Sequence, residues 1–231
     1  MSANTVVLVH GWGGSFEETW KKPGIVDILA DTGLKIHGVD LLGHGTSDKP
    51  HDPEAYDQLG SHLLAQLPDE PCIVVAFSLG AMIALRLAAS TPDRFAGMVL
   101  AGIGDRLFEP HDPEESRRII AGVEGTASPD DNVAQLFGRY ARQGDNDPLA
   151  LAAVLKRPPA ERLQPEHLSG IECPVLVCIG DKDFAAPAQR LASSFSSGEL
   201  AVLPRTDHFA TPGSFAFIDA VVGWLESRFL R

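Results

Sequence analysis

Six short apolar runs, each bounded by turn residues, punctuate the chain: Thr5–Val9, Lys35–Asp40, Cys72–Phe77, Gly97–Ala101, Pro174–Ile179 and Glu199–Leu203. Continuous apolar runs, rather than strict apolar–polar alternation, predict strands covered on both faces of a parallel sheet. Helical patterns lie between most of them. Ser15–Leu29 predicts a short helix or two, and Ala55–Leu67 a clearer one. Leu79–Ser90 is apolar on nearly every face, which predicts a buried central helix. Ser214–Phe229 carries Phe215, Ile218, Val221, Val222, Leu225 and Phe229 at helical spacing. This β-α alternation predicts the α/β class, a mostly parallel, doubly wound sheet of about six strands.

One stretch breaks the rhythm. Residues 104–170 hold no strand pattern, are rich in Pro, Asp, Glu and Arg, and suggest three helices at Pro113–Val123, Asp130–Arg142 and Asp147–Lys156. The division expected is therefore a core of residues 1–103 and 171–231 with residues 104–170 inserted as a small helical unit. Such a unit is either a surface excursion or a lid over the carboxyl ends of the strands, where open α/β sheets place ligands.

Composition narrows the class. The 231 residues are 44% hydrophobic and 22% charged, enough for one large core. A net charge of −12 opposes binding to nucleic acid or anionic membranes, so neither is expected as a partner. Cys72, Cys173 and Cys178 follow no zinc spacing and no disulfide framework, which suggests reduced thiols in a cytoplasmic protein. The start reads as a first strand rather than a signal peptide, and no run is long enough for a membrane span. No histidine pair is spaced like metal ligands, so neither metal nor cofactor is expected. No pattern sets an oligomeric state.

The densest chemical signal is Ile73-Val-Val-Ala-Phe-Ser78-Leu-Gly80, an apolar strand, a sharp turn and an apolar helix. Small residues at 76 and 80 suit a strand that reverses directly into a helix and lifts a serine hydroxyl above the sheet. A serine hydroxyl needs a base, and the base needs an orienting acid. His208 follows the fifth and sixth runs in a loop and is the candidate base. Asp183, in the loop after Pro174–Ile179, is the preferred acid, with Asp181 and Asp105 as alternatives. The order Ser78, Asp183, His208 then runs along the chain. An oxyanion would need two N–H donors: Leu79, just after the serine, and Trp12 in the glycine-rich loop His10–Gly14. That loop lacks the spacing of a phosphate-binding motif. His10 and His44 sit in glycine-rich loops and are expected to hold loop geometry. His37, His51, His62, His111 and His167 read as surface residues.

Taken in order, these segments resemble the α/β-hydrolase superfamily, in particular its serine esterase-like branch with a small lid. His10-Gly11 resembles its oxyanion loop, and Asp40–Asp48 its D-x-x-G-x-G-x-S segment. Ala76–Gly80 is similar to its nucleophile turn, Thr91–Phe95 and Met98–Gly102 to the turn and strand that follow, and Gly180–Asp183 and Asp207-His208 to its acid and histidine loops. Ala76 departs from the commoner glycine, Thr206-Asp207 from the usual small residues, and the family's leading hairpin is missing. The resemblance favours the lid reading, with Phe108, Leu136, Phe137, Tyr140 and Leu155 as either pocket-lining or lid-packing residues. It implies hydrolysis of a small carboxylic ester, lactone or thioester through an acyl group on Ser78. A C–C bond hydrolase or lyase using the same residues, and a ligand-binding receptor with little turnover, are the alternatives.

Overall fold

A computed structural model describes residues 4–110 and 112–230; His111 lies outside the described residues. Six parallel strands form one sheet: β1 (Thr5–Val9), β2 (Lys35–Val39), β3 (Cys72–Phe77), β4 (Phe95–Ala101), β5 (Val175–Gly180) and β6 (Gly198–Leu203). Their spatial order is β2-β1-β3-β4-β5-β6. All residues of β3 and β5 are buried, whereas the edge strands β2 and β6 are partly exposed. That difference explains why the central runs are uninterrupted apolar and the edge runs contain Lys35, His37 and Glu199.

Successive side chains leave opposite faces of the strands, so each run feeds two cores. Val7, Val9, Val74, Ala76, Met98, Leu100, Val175 and Val177 pack with the buried faces of α2 (Leu59–Leu64), α3 (Leu79–Ser90) and α7 (Gln189–Ser193). Val6, Leu8, Ile73, Val75, Val99 and Leu176 pack with α1 (Ile25–Ala30) and α8 (Phe215–Phe229). Helix α8 turns Phe217, Ile218, Val221, Trp224 and Leu225 inward, the stripe that a 3.6-residue period produces. The three cysteines are free, and burial pushes the Cys72 thiol up to about 11.

Several boundaries differ from the sequence pattern. Gly24, at φ 86°, separates a single π-helical turn over Glu17–Lys21 from α1, so Ser15–Leu29 is two short pieces. Ala55–Leu67 shrinks to a 3₁₀ turn at Pro53–Tyr56 and the six residues of α2. Strand β4 begins at Phe95, two residues before the apolar run.

Between β4 and β5 lie α4 (Pro113–Glu124), α5 (Asn132–Tyr140) and α6 (Pro148–Lys156). Each starts at an aspartate whose carboxylate accepts from a first-turn N–H: Asp112 from Glu114, Asp131 from Ala134, and Asp147 from Leu149 and Ala150. Proline follows the cap in α4 and α6, where its missing N–H costs nothing. Helices α4 and α5 cross at Gly122 and Gly138; a Cβ on Gly122 would fall 1.9 Å from the Ala134 carbonyl oxygen. Arg118 ties the pair by donating two hydrogen bonds, each 2.9 Å, to the carboxylate of Asp131.

Candidate active site

The strand order reverses between β1 and β3, and the crevice at their carboxyl ends is where a doubly wound sheet holds its ligand. Ser78 sits there, one residue past β3, with φ 50° and ψ −115°. A side chain rarely adopts this backbone. It is held by the Ser78 N–H donating to the Ala101 carbonyl at 2.8 Å and by α3 starting immediately after. Gly80 makes the turn possible, since a Cβ there would lie 2.3 Å from the His10 carbonyl oxygen. Only glycine lets α3 approach β1 so closely. Ala76 is fully buried on the face that packs with α2, α3 and α7, so its methyl group is accommodated.

The loops after β5 and β6 are fastened together. Asp181 N–H donates to Leu203 O at 3.0 Å, Lys182 N–H to Thr206 O at 3.1 Å, and Thr206 N–H to Asp181 Oδ1 at 3.2 Å. This pairing carries His208 against Asp183. The His208 Nδ1–H faces both carboxylate oxygens of Asp183 at 3.0 Å, and the Ser78 hydroxyl donates to His208 Nε2 at 3.0 Å. Asp183 and His208 are both buried, and Asp183 Oδ1 also accepts from the Ala185 N–H at 2.8 Å. The two alternative acids lie elsewhere: Asp181 anchors Thr206, and Asp105 accepts from the Leu191 N–H at 2.9 Å inside α7.

The loop from His10 to Gly14 passes directly over the serine. A Cβ on Gly11 would lie 3.1 Å from Ser78 Cβ. The turn is closed by the Gly14 N–H donating to Gly11 O at 3.1 Å, with Gly13 at φ 73°. Leu79 occupies the first turn of α3, where backbone N–H groups have no intrahelical acceptor. The Trp12 side chain points away from the sheet: its Nε1–H donates to Leu151 O of α6 at 3.1 Å, and its ring lies 5.7 Å from Phe137 and 6.1 Å from Tyr140 of α5. Asn146 donates to Gly13 O at 2.8 Å. The helical insertion thus braces the loop from above.

A cavity of about 190 Å³ opens over Ser78. Of the five side chains suggested by sequence, Phe137, Tyr140 and Leu155 line it. Phe108 instead is buried beside Arg190, and Leu136 is 40% exposed. Residues 137 and 140 share one face of α5, whereas 136 is rotated by about 100° from its neighbour. Three aromatic rings missed by the sequence reading surround His208: Phe184 at 4.2 Å, Phe77 at 4.9 Å and Phe209 at 5.6 Å between centroids. Their adjacency to Asp183, Ser78 and His208 in the chain is the signal that could have found them.

His10 and His44 form a separate buried pair, with ring centroids 5.0 Å apart. His10 Nε2 accepts the Leu41 N–H at 3.1 Å and Nδ1 faces the Gly11 carbonyl at 2.7 Å, which fixes the neutral Nδ1–H tautomer. Burial lowers its pKa. Burial, then the neighbouring His10, lowers His44 to about 3, and its Nε2 has no hydrogen-bond partner among the described residues. Both pKa values lie below that of an unfolded histidine, so the stability they confer is complete above about pH 6.5 and lost as pH falls toward the folded values. His44 alone is expected to cost about 2 kcal/mol of stability between pH 8 and pH 5. Urea unfolding of wild type and His44→Asn over that range checks this; identical pH slopes would refute it. His37, His51, His62 and His167 are exposed. Among the described residues no group of three or more His, Cys, Asp or Glu is placed to hold a metal, and no helix is long and apolar enough to cross a membrane.

The model of the alpha/beta hydrolase family matches residues 6–216. The chain belongs to the alpha/beta hydrolase family. The expected fold and the expectation of a hydrolytic enzyme stand with that membership. Pimeloyl-[acyl-carrier protein] methyl ester esterase from Neisseria meningitidis serogroup C is 27% identical over 234 residues, covering 88% of this chain and 86% of that one. Among solved structures of the family, the enol-lactonase from Burkholderia xenovorans LB400 superposes with a TM-score of 0.73 at 22% identity, covering 97% of this chain and 92% of its own. The 2-hydroxy-6-oxo-6-phenylhexa-2,4-dienoate hydrolase from Rhodococcus sp. strain RHA1 gives 0.70 at 21% identity, covering 99% and 91%. At such identities the two structures establish the shared alpha/beta hydrolase fold.

Proposed function

We propose that the protein hydrolyses a small carboxylic ester, lactone or thioester through an acyl-enzyme on Ser78. The observation that carries this reading is the continuous hydrogen-bonded line from Ser78 Oγ through His208 to Asp183, each step 3.0 Å, beneath a largely apolar cavity. His208 Nε2 takes the hydroxyl proton as Oγ attacks the carbonyl carbon. Asp183 keeps the proton on Nδ1 and stabilises the imidazolium that forms. The Trp12 and Leu79 N–H groups receive the oxyanion, assisted by the positive end of α3. His208 then protonates the leaving alcohol, and water repeats the sequence to release the acid.

Residues 104–170 act as a lid in this proposal, supported by the contacts of Trp12 with α5 and α6. The substrate is a small molecule, and neither cofactor, nucleic acid nor membrane takes part. A cytoplasmic setting belongs to the same reading, supported by three free cysteines.

A fluorophosphonate probe tests the nucleophile directly. It is expected to label one residue, Ser78, in the folded protein and to abolish cleavage of a 4-nitrophenyl ester in step with labelling. Folded protein that cleaves the ester while its Ser78 peptide stays unmodified would overturn the proposal.

A further inference from the structure

Arg157 closes α6 at its C-terminal end and lines the cavity over Ser78. Of the other cations of the helical insertion, four hold a carboxylate (Arg106 with Glu115, Arg117 with Glu114, Arg118 with Asp131, Lys156 with Glu124), while Arg139, Arg142 and Arg162, away from the cavity lining, have no ion pair among the described residues. Arg157 has no such partner among the described residues. One Nη donates to the Val154 carbonyl at 2.6 Å, while Nε and the other Nη have no partner among the described residues. Burial and the like charge of Arg86 both lower its pKa, and Arg86 is itself occupied with the Glu161 carbonyl at 2.6 Å.

Position at a helix C-terminus accounts for part of this arrangement, since the last carbonyls favour a cation. It does not account for the remaining donors of the fork or for its placement on a cavity whose wall includes Met82, Ile119 and Leu155. The guanidinium is half-buried beside a largely apolar cavity and a second cation, and it has no counter-charge among the described residues. A carboxylate entering with the substrate would supply it through charge-assisted, two-pronged hydrogen bonds.

We infer that Arg157 is a specificity-determining residue that binds a carboxylate at the far end of the substrate's acyl chain, making the substrate class the monoesters of short dicarboxylic acids. The inference rests on the ester-hydrolase reading above. One cavity of about 190 Å³ is lined by both Ser78 and Arg157, as a substrate that carries an ester and a carboxylate requires. With a net charge of −12 the protein as a whole repels anions, so recognition depends on this local cation.

Two substrates separate charge from size: the 4-nitrophenyl monoester of adipic acid and 4-nitrophenyl 6-methylheptanoate, in which an isopropyl group replaces the carboxylate. In Arg157→Gln the ratio of kcat/KM for the charged over the neutral ester is expected to fall about ten- to a hundredfold, chiefly through KM. Arg157→Lys is expected to restore part of it, because it keeps the charge but not the fork. A ratio that stays within twofold of wild type, even if both rates drop, would overturn the assignment. Calorimetric titration of monomethyl adipate into Ser78→Ala protein, with and without Arg157→Gln, decides the anion site independently of turnover. Binding about tenfold weaker in the double variant supports it, and equal binding overturns it. Failure of both esters to be cleaved by wild type would sink the hydrolase reading alone, leaving the titration to judge Arg157.

Discussion

Ser78→Ala protein is expected to fold normally and to lose about a millionfold in kcat on a 4-nitrophenyl ester. The magnitude follows from how the serine is coupled. Its hydroxyl is the donor into His208 Nε2, so removing it deletes the nucleophile and leaves the base nothing to deprotonate. What survives is binding plus the proposed Trp12 and Leu79 donors, about 10³–10⁴ over water in systems of this type. Steady-state kinetics on carefully purified variant, with burst titration to exclude wild-type carry-over, measures it. A loss under a hundredfold would mean that another group attacks the substrate.

The same position sets a contrast in stability. Ser78 holds φ 50° and ψ −115°, a conformation that costs a residue with a Cβ on the order of 1–3 kcal/mol. The fold over-determines it through the Ala101 carbonyl, the start of α3 and the close approach of Gly80 to His10 O. The turn therefore stores strain where the hydroxyl must stand clear of the sheet. Chemistry and backbone geometry select the same residue.

Much of this was legible beforehand, for physical reasons that differ element by element. The central strands announced themselves because both faces are covered, so every position of β3 and β5 must be apolar. The three helices between β4 and β5 were legible to within two residues at their starts, expected at Pro113, Asp130 and Asp147 and observed to be capped by Asp112, Asp131 and Asp147. Ser78 and His208 were legible because a strand-turn-helix with small flanking residues leaves few other uses for the serine. The choice among Asp105, Asp181 and Asp183 was not settled by spacing, since all three follow strand ends. The carboxylate that the β5 and β6 loops bring to His208 is that of Asp183, a contact that depends on Thr206 pairing across to Asp181 and Lys182. The lining of the cavity was legible only in part. Phe184 and Phe209 reach it from loops whose paths no periodicity encodes, and nothing in the sequence sets Arg157 apart from the other arginines of residues 104–170.

Asp183→Asn is expected to lower kcat about ten-thousandfold with little change in stability, and the reason is orientational rather than electrostatic alone. The Ala185 N–H donates to Oδ1 at 2.8 Å, so an asparagine must place its carbonyl oxygen there. Its NH₂ then occupies the Oδ2 position, 3.0 Å from His208 Nδ1. Nδ1 sits 3.0 Å from both positions, so the NH₂ opposes its proton while the carbonyl at Oδ1 still accepts it, and the balance shifts toward the Nε2–H tautomer. That tautomer presents an N–H to Ser78 where a lone pair is needed, and the hydroxyl proton has no acceptor. The alternative acids supply the control. Asp105→Asn and Asp181→Asn weaken single hydrogen bonds to the Leu191 and Thr206 N–H groups, each worth about 0.5–1.5 kcal/mol of stability, and are expected to leave kcat within about tenfold of wild type. Kinetics on the three variants under one set of conditions ranks them. Should Asp105→Asn or Asp181→Asn prove the most damaging to kcat, the acid has been misassigned and the hydrogen bonds around His208 must rearrange before reaction.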